Sequence, residues 1–266
     1  VGHLIYSRIW NRYLYSKGIS PVEEPFKKLV HQGMILGANG VKMGKRYPEY
    51  VVNPTDIVRD YGADSLRLYE MFMGPIDVSK PWSQDGVEGS RRFIQRVWNL
   101  FTDPSNISDA SKDALRKVYH RTVKKVTEDF ESLCYNTAIS QLMIFINACY
   151  KEKSCPKEYA ESFIKMFSCI CPHVGEELWQ QLGHDNTIAY ESWPTYDEEA
   201  TRDDEFEVAV QINGRIKDRL MLPADIDSVS AIAAAKASEK IRSELEGKTV
   251  VKEIYVKGKL INIVAK

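Results

Sequence analysis

Hydrophobic period changes along this chain, and the change limits the architectures open to it. From Val87 onward apolar residues return every three or four positions, with Phe93, Val97, Leu100 and Phe101 on one face, the spacing of an amphipathic helix. The same periodicity predicts three more helices, at about 111–131, 136–152 and 157–182. The second of these carries Ile139, Leu142, Met143, Ile146 and Ala148 to Tyr150, so it is apolar on more than one side and belongs at the centre of a bundle. Residues 86–196 are therefore expected to form an antiparallel bundle of four to five helices.

The period then switches to two. After a sparsely apolar acidic linker at 197–206, Glu207 to Ile212 alternate, Asn213-Gly214 is a strong hairpin signal, and Arg215 to Leu222 form the return strand. A helix from Ser228 to about Leu245 and a second hairpin around Lys257-Gly258 complete a small β-β-α-β-β module over 207–266. The first 85 residues are mixed: a helix through Leu14, one strand near Gly33 to Leu36, a lysine-containing loop and two helices. Asn53 serves as N-cap, Pro54 as first helical residue and Gly62 as stop for the first of those two helices, and Ala63 begins the second. One strand cannot make a sheet, so this segment is expected to be part of a larger one. The whole is mainly α with α+β parts.

Chemistry concentrates in Lys42-Met43-Gly44-Lys45-Arg46. Two ammonium groups three residues apart on a glycine-containing loop can close over a triphosphate and neutralise charge building on a leaving pyrophosphate. Lysine suits that task as a compact charge on a long stem.

The residues around the loop resemble a known family. The order KMxKx at 42–46, VVNP at 51–54 and YGADSLRLYEMFMGP at 61–75 resembles the end of the catalytic domain of class I aminoacyl-tRNA synthetases, whose second signature is KMSKS, and most closely the bacterial leucyl-tRNA synthetases. The stretches from His3 to Trp10, Gln32 to Ile35, Trp82 with Gly89 to Trp98, Val210 to Arg219, and Gly258 to Ile263 extend the resemblance along nearly the whole chain. Gly44 and Arg46 replace the two serines of the signature, which removes hydroxyl donors and keeps both lysines. No HIGH-type motif, Gly-rich first turn or editing-domain sequence is present. The resemblance thus implies a C-terminal portion of the enzyme: the tail of a Rossmann-like catalytic domain at 1–85, a bundle of the anticodon-binding-domain type, and a terminal tRNA-binding module.

The resemblance further implies that Lys42 and Lys45 act catalytically. Lys42, Met43, Gly44, Lys45 and Arg46 would lie against ATP phosphates. The full enzyme joins leucine to tRNA-Leu through leucyl-adenylate using ATP and Mg2+. The chain alone is expected to hold no cofactor and to be inactive, monomeric and cytoplasmic. Alternatives are a class I synthetase for valine, isoleucine or methionine, or a stand-alone non-catalytic tRNA-binding protein.

A net charge of −1 hides an uneven distribution. Between Lys112 and Lys125 the bases Lys112, Arg116, Lys117, Arg121, Lys124 and Lys125 face one acid, Asp113, whereas Asp197 to Glu207 hold seven acids and Arg202. On a helix, Lys117, Arg121, Lys124 and Lys125 share a stripe that can follow a phosphate backbone. Arg91 and Arg92 form a second basic cluster, and alternation places Arg215, Lys217 and Arg219 on one sheet face. These nine residues are the tRNA-binding candidates, with DNA and membrane not expected as partners. His3 and Arg8 are candidates for a place beside the aminoacyl cleft. Five cysteines, at 134, 149, 155, 169 and 171, lack metal-ligand spacing. Cys134, Cys149 and Cys169 are expected in the core, and no metal site is expected.

Overall fold

In the computed structural model, which describes residues 2–109, 113–202 and 205–266, the chain divides into two units, Val1–Tyr196 and Asp197–Lys266. Lys112 of the basic block, and Asp203 and Asp204 of the acidic linker, lie outside the described residues. No helix among the described residues is long and apolar enough to cross a membrane.

The first unit opens with α1 (Gly2–Ser16), which buries none of its residues. Asn11 donates to the carbonyls of Val22 and Glu23, and Arg8 chelates Glu24, so residues 20–24 fold back along the helix. The chain then extends to β1 (Ile35–Leu36). Two helices follow, α2 (Pro54–Tyr61) and α3 (Ala63–Phe72). Asn53 caps α2 by accepting the Thr55 N–H at 3.1 Å, and Gly62, at φ 90°, lets one helix end as the next begins.

The single predicted strand finds a partner that the sequence reading did not supply. β1 pairs in parallel with β2 (Lys80–Pro81). Gly33 makes this approach possible, because a Cβ there would sit 2.2 Å from the Val78 carbonyl carbon. Its own N–H donates to Ile76 at 2.8 Å.

The bundle consists of α4 (Gln84–Thr102), α5 (Asp113–Glu131), α6 (Tyr135–Glu152), α7 (Lys157–Ser168) and α8 (Pro172–Gln181). A parallel two-residue pairing joins β3 (Ile107–Ser108) to β4 (Cys155–Pro156) within it. Its core runs from Leu68 of α3 through Val97 and Leu100 to Leu142 and Ile146, and includes a line of rings, Phe145, Phe163 and Phe167, with centroids 5.7 and 5.5 Å apart. The helix expected over 157–182 is two helices. Pro172 disfavours helical geometry at Cys171, whose φ is −116° and ψ 70°, and the chain turns there before α8. Among the cysteines, Cys149 is buried as expected, while Cys134 and Cys169 are exposed, because each sits at a helix end rather than on its apolar face.

The second unit is a four-stranded sheet, β5 (Glu205–Ile212), β6 (Arg215–Pro223), β7 (Val250–Val256) and β8 (Leu260–Ala265), in the order β6-β5-β8-β7. The two hairpins are antiparallel, and β5 joins β8 in parallel. Asn213 and Gly214, at φ 50° and 79°, make the first turn. Val208, Val210, Ile212, Ile261 and Ile263 pack against α9 (Ser228–Ala237) and α10 (Glu239–Leu245). These replace the one helix expected over 228–245: Ser238, at ψ 132°, breaks it and donates to Asp218 of β6.

Candidate phosphate loop and nucleic-acid interface

The loop after β1 is held at its base and open at its tip. Gly37 accepts from Gly40 and donates to Val41 at 2.8 Å, and Leu36 bridges Lys42, so the chain reverses immediately before the lysines. Met43 then turns inward. It packs with Val52 against the cluster of Ile57, Tyr69, Trp82 and Val87, and its Sδ accepts the Val52 N–H at 3.5 Å. Lys42, Gly44, Lys45 and Arg46 remain exposed. Lys42 and Lys45 have no ion pair among the described residues, and Arg46 lies over the Tyr47 ring at 5.4 Å. Nothing lies within 4 Å of a Cβ built on Gly44, and its φ is outside the left-handed region, so a serine would fit there. The arrangement can present two ammonium groups to an anion without first breaking a salt bridge.

The other basic candidates are distributed unevenly. On α5, Arg116 and Lys125 are exposed and Lys117, Arg121 and Lys124 half-buried. Lys125 pairs with the buried Asp129 at 2.6 Å, which also accepts from Thr137 at 2.7 Å. That ties Lys125 to the start of α6 as well as to solvent. On α4, Arg91 donates to the Tyr61 carbonyl at 2.6 Å and Arg92 lies 3.9 Å from Glu88. Trp98, about two helical turns beyond Arg91, is half-buried against the bundle core.

In the second unit the expected basic face is divided. A β-bulge between Val210 and Gln211 interrupts alternation along β6. Lys217 pairs with Glu244 of α10 at 2.7 Å, on the helix side of the sheet, whereas Arg219 pairs with Glu207 of β5 on the other. Arg215 stands at the turn. A bulge has no reliable one-residue signature, so the alternating pattern carried no warning of it.

Sequence reasoning also passed over Asp64. Only 5% exposed, its carboxylate accepts the Val174 N–H at 2.8 Å and lies 2.8 Å from Nδ1 of His173. It therefore caps the first turn of α8 from across the fold. Its partners are more than a hundred residues away in sequence, so a local reading sees only an acid in the first turn of α3.

His3 and Arg8 lie on the exposed α1, where Arg8 is occupied by Glu24 at 2.7 Å. Hydrogen bonding to Arg8 comes first among the causes that hold the Glu24 carboxyl below the usual carboxylate range.

Two family models match this sequence. Residues 8–77, which include the loop, match the tRNA synthetases class I (I, L, M and V), and residues 112–233 match the anticodon-binding domain of tRNA ligase. The second match runs from α5 past Tyr196 into α9. Over these segments the chain is similar to the class I tRNA synthetases and to their anticodon-binding domain. It is similar over 99% of its length, at 29% identity and a TM-score of 0.77, to the leucyl enzyme in the crystal structure of the Agrobacterium radiobacter K84 agnB2 LeuRS-tRNA-LeuAMS ternary complex. It spans 37% of the length of that relative.

Proposed function

We propose that this chain is part of a leucine–tRNA ligase, supplying the phosphate loop at Lys42 to Arg46 and the surfaces that dock tRNA-Leu. The observation that carries the reading is the loop itself: Met43 anchored in a small apolar cluster, with Lys42 and Lys45 on either side of it exposed and unpaired among the described residues. Lys42 and Lys45 would hold ATP phosphates, and Arg46 would add charge at the loop's edge. ATP, when bound, supplies the adenylyl group that activates leucine. The lysines contribute by neutralising the pyrophosphate as it leaves, an effect of a few kcal/mol when the groups are held in place. Mg2+ accompanying ATP would be bound through the triphosphate oxygens.

The α5 stripe and the Arg91–Arg92 cluster supply counterion-releasing contacts to an RNA backbone. Arg219 and Arg215 offer a smaller contact in the second unit. The exposed apolar residues of α1 are where further catalytic structure would pack. In the cytoplasm the assembled enzyme would act as a monomer.

Binding of the purified chain to tRNA-Leu and to an unrelated elongator tRNA, across a salt series, tests the docking role. Preference for tRNA-Leu with a steep salt slope is expected; equal and weak binding to both would remove it. Leucine-dependent ATP–pyrophosphate exchange is expected only when the remainder of a catalytic domain is supplied, and exchange by the chain alone would contradict the division of labour proposed here.

A further inference from the structure

One cavity in the first unit has no part in the phosphate loop or the α5 stripe. Its volume is about 430 Å³, and it opens where α2 passes into α3, against α4 and the start of α8. Most of its wall is apolar, with Ile94 and the half-buried indole of Trp98 on the α4 side. Three of the polar side chains that line it stand at the solvent-facing rim: Arg91, Gln95 and His173, all exposed.

Each of the three has bonding capacity left over. Arg91 is exposed and directs Nη1 to the Tyr61 carbonyl at 2.6 Å, which leaves the other N–H groups of its fork for a ligand. Gln95 donates through Nε2 to Asn99 at 2.8 Å and keeps its carbonyl oxygen as an acceptor. His173 donates to Asp64 through Nδ1 and so keeps Nε2, on the opposite side of the ring, as an acceptor. The Asp64 carboxylate would repel an anion if it were bare. Both its oxygens are engaged, one by His173 and the other by the Val174 N–H, and the group is buried.

An apolar wall with an indole, an amide acceptor and the guanidinium of Arg91 at the rim match the parts of a nucleotide. We propose that this cavity binds a nucleoside phosphate, with the base against Trp98 and Ile94, an exocyclic amine donating to Gln95, the phosphate accepting from Arg91, and Nε2 of His173 accepting from a ribose hydroxyl. The ligand can be an unpaired nucleotide of a docked RNA or a free nucleotide, since the same groups recognise both. The proposal rests on the reading of this unit as an RNA-docking body and gives that body a point of base contact, where the α5 stripe offers backbone contact alone.

Titrating the full chain with adenosine monophosphate, with adenosine and with a single-stranded hexaribonucleotide, followed by calorimetry and tryptophan fluorescence, tests it. Saturable binding of the monophosphate or the hexanucleotide is expected, weaker for adenosine. Trp98→Ala should weaken it about tenfold through lost stacking, and Arg91→Gln by a similar factor through lost charge-assisted bonding. Because Trp98 also packs on the core, the exposed pair Arg91→Gln and Gln95→Ala carries the test if Trp98→Ala fails to fold. Binding by the monophosphate assigns a free nucleotide; binding by the hexanucleotide alone, with the same dependence on Arg91 and Gln95, assigns an RNA nucleotide. Absence of binding by either probe at several millimolar, or binding indifferent to both exposed variants, overturns the proposal. Binding of tRNA by the same preparation separates the two readings: tRNA bound with neither probe engaged removes the cavity alone, whereas failure to bind tRNA removes the docking role as well.

Discussion

Two helices of the first unit, α1 and α6, have similar lengths and much apolar surface, yet opposite fates. In α6, Ile139, Leu142, Phe145, Ile146 and Cys149 are essentially inaccessible, each contacting the bundle core. In α1, Ile5, Tyr6, Ile9, Trp10 and Tyr13 are all at least half exposed. The helix is fastened instead by Arg8 to Glu24 and Arg12 to Glu23, exposed pairs of the sort that contribute little. The contrast teaches that apolar content sets a demand for burial, and a neighbouring element meets it. The bundle carries its own neighbours in sequence, and α1 does not. An exposed apolar patch of this size marks a surface meant to be covered.

The sharpest way to break the comparison is to truncate one large apolar side chain in each region. Phe163 is 1% exposed and lies between Phe145 and Phe167. Phe163→Ala should cost about 3–5 kcal/mol in urea unfolding of the first unit. Trp10 is 63% exposed, and Trp10→Ala should change the same transition by less than about 0.5 kcal/mol while raising solubility. Comparable losses at both sites would mean that α1 is packed in solution, and the contrast would collapse.

Next in size is the contact that ties α3 to α8. Asp64→Ala removes the acceptor for Val174 and the partner of His173, and should destabilise the unit by about 1.5–3 kcal/mol. The effect should be concentrated in hydrogen exchange of the first turn of α8. A uniform loss of protection across all five bundle helices would indicate that Asp64 supports the core generally rather than that helix end.

The comparison also explains what could be seen before the structure. Helix starts and stops were legible where one residue type fixes the backbone, as at Asn53, Pro54 and Gly62, and so was the Asn213-Gly214 turn. The helical bundle, though not the break before Pro172 that divides its last segment into two helices, was legible from its period because its apolar partners lie within the same segment. Three features were illegible for a shared reason: β1 with β2, the Asp64 contact with α8, and the divided basic face of β6 each depend on a partner or a bulge placed by tertiary structure. Of the candidate site, the motif singled out the loop, but the inward turn of Met43, expected there among the phosphate contacts, depends on the apolar cluster behind it, and the cavity beside Trp98 had no local signal. Its walls come from four separate helices.

A smaller effect belongs to Gly33, which lies between the poorly packed N-terminal region and the well-packed remainder. Gly33→Ala places a methyl group on the Val78 carbonyl, so β1 must move away from β2. Faster exchange is expected at the Lys80 and Trp82 amides, which donate to Met34 and Leu36 at 2.9 Å, with the bundle transition unchanged. Such an outcome would show that the phosphate loop can be loosened at its root without disturbing the bundle. A joint loss of both would tie the loop to the bundle as one cooperative unit.

The smallest effect is expected in the second unit, as a dependence on acid. Ser238, the residue that breaks α9 from α10, donates to Asp218, whose carboxyl is held below the usual carboxylate range chiefly by that bond, with the Arg219 N–H and Lys240 contributing. A depressed folded-state pKa means that the unfolded chain takes up the proton first. The stabilisation is therefore complete above the unfolded value, about 3.9 for aspartate, and is lost as pH falls through the lower folded value. The melting temperature of the second unit should drop below about pH 4, and Asp218→Asn should flatten that part of the curve while leaving the slope from other acids. An unchanged acid slope in the variant would mean that the Ser238 bond forms without favouring the charged carboxylate, and the break between α9 and α10 would then need a backbone cause of its own.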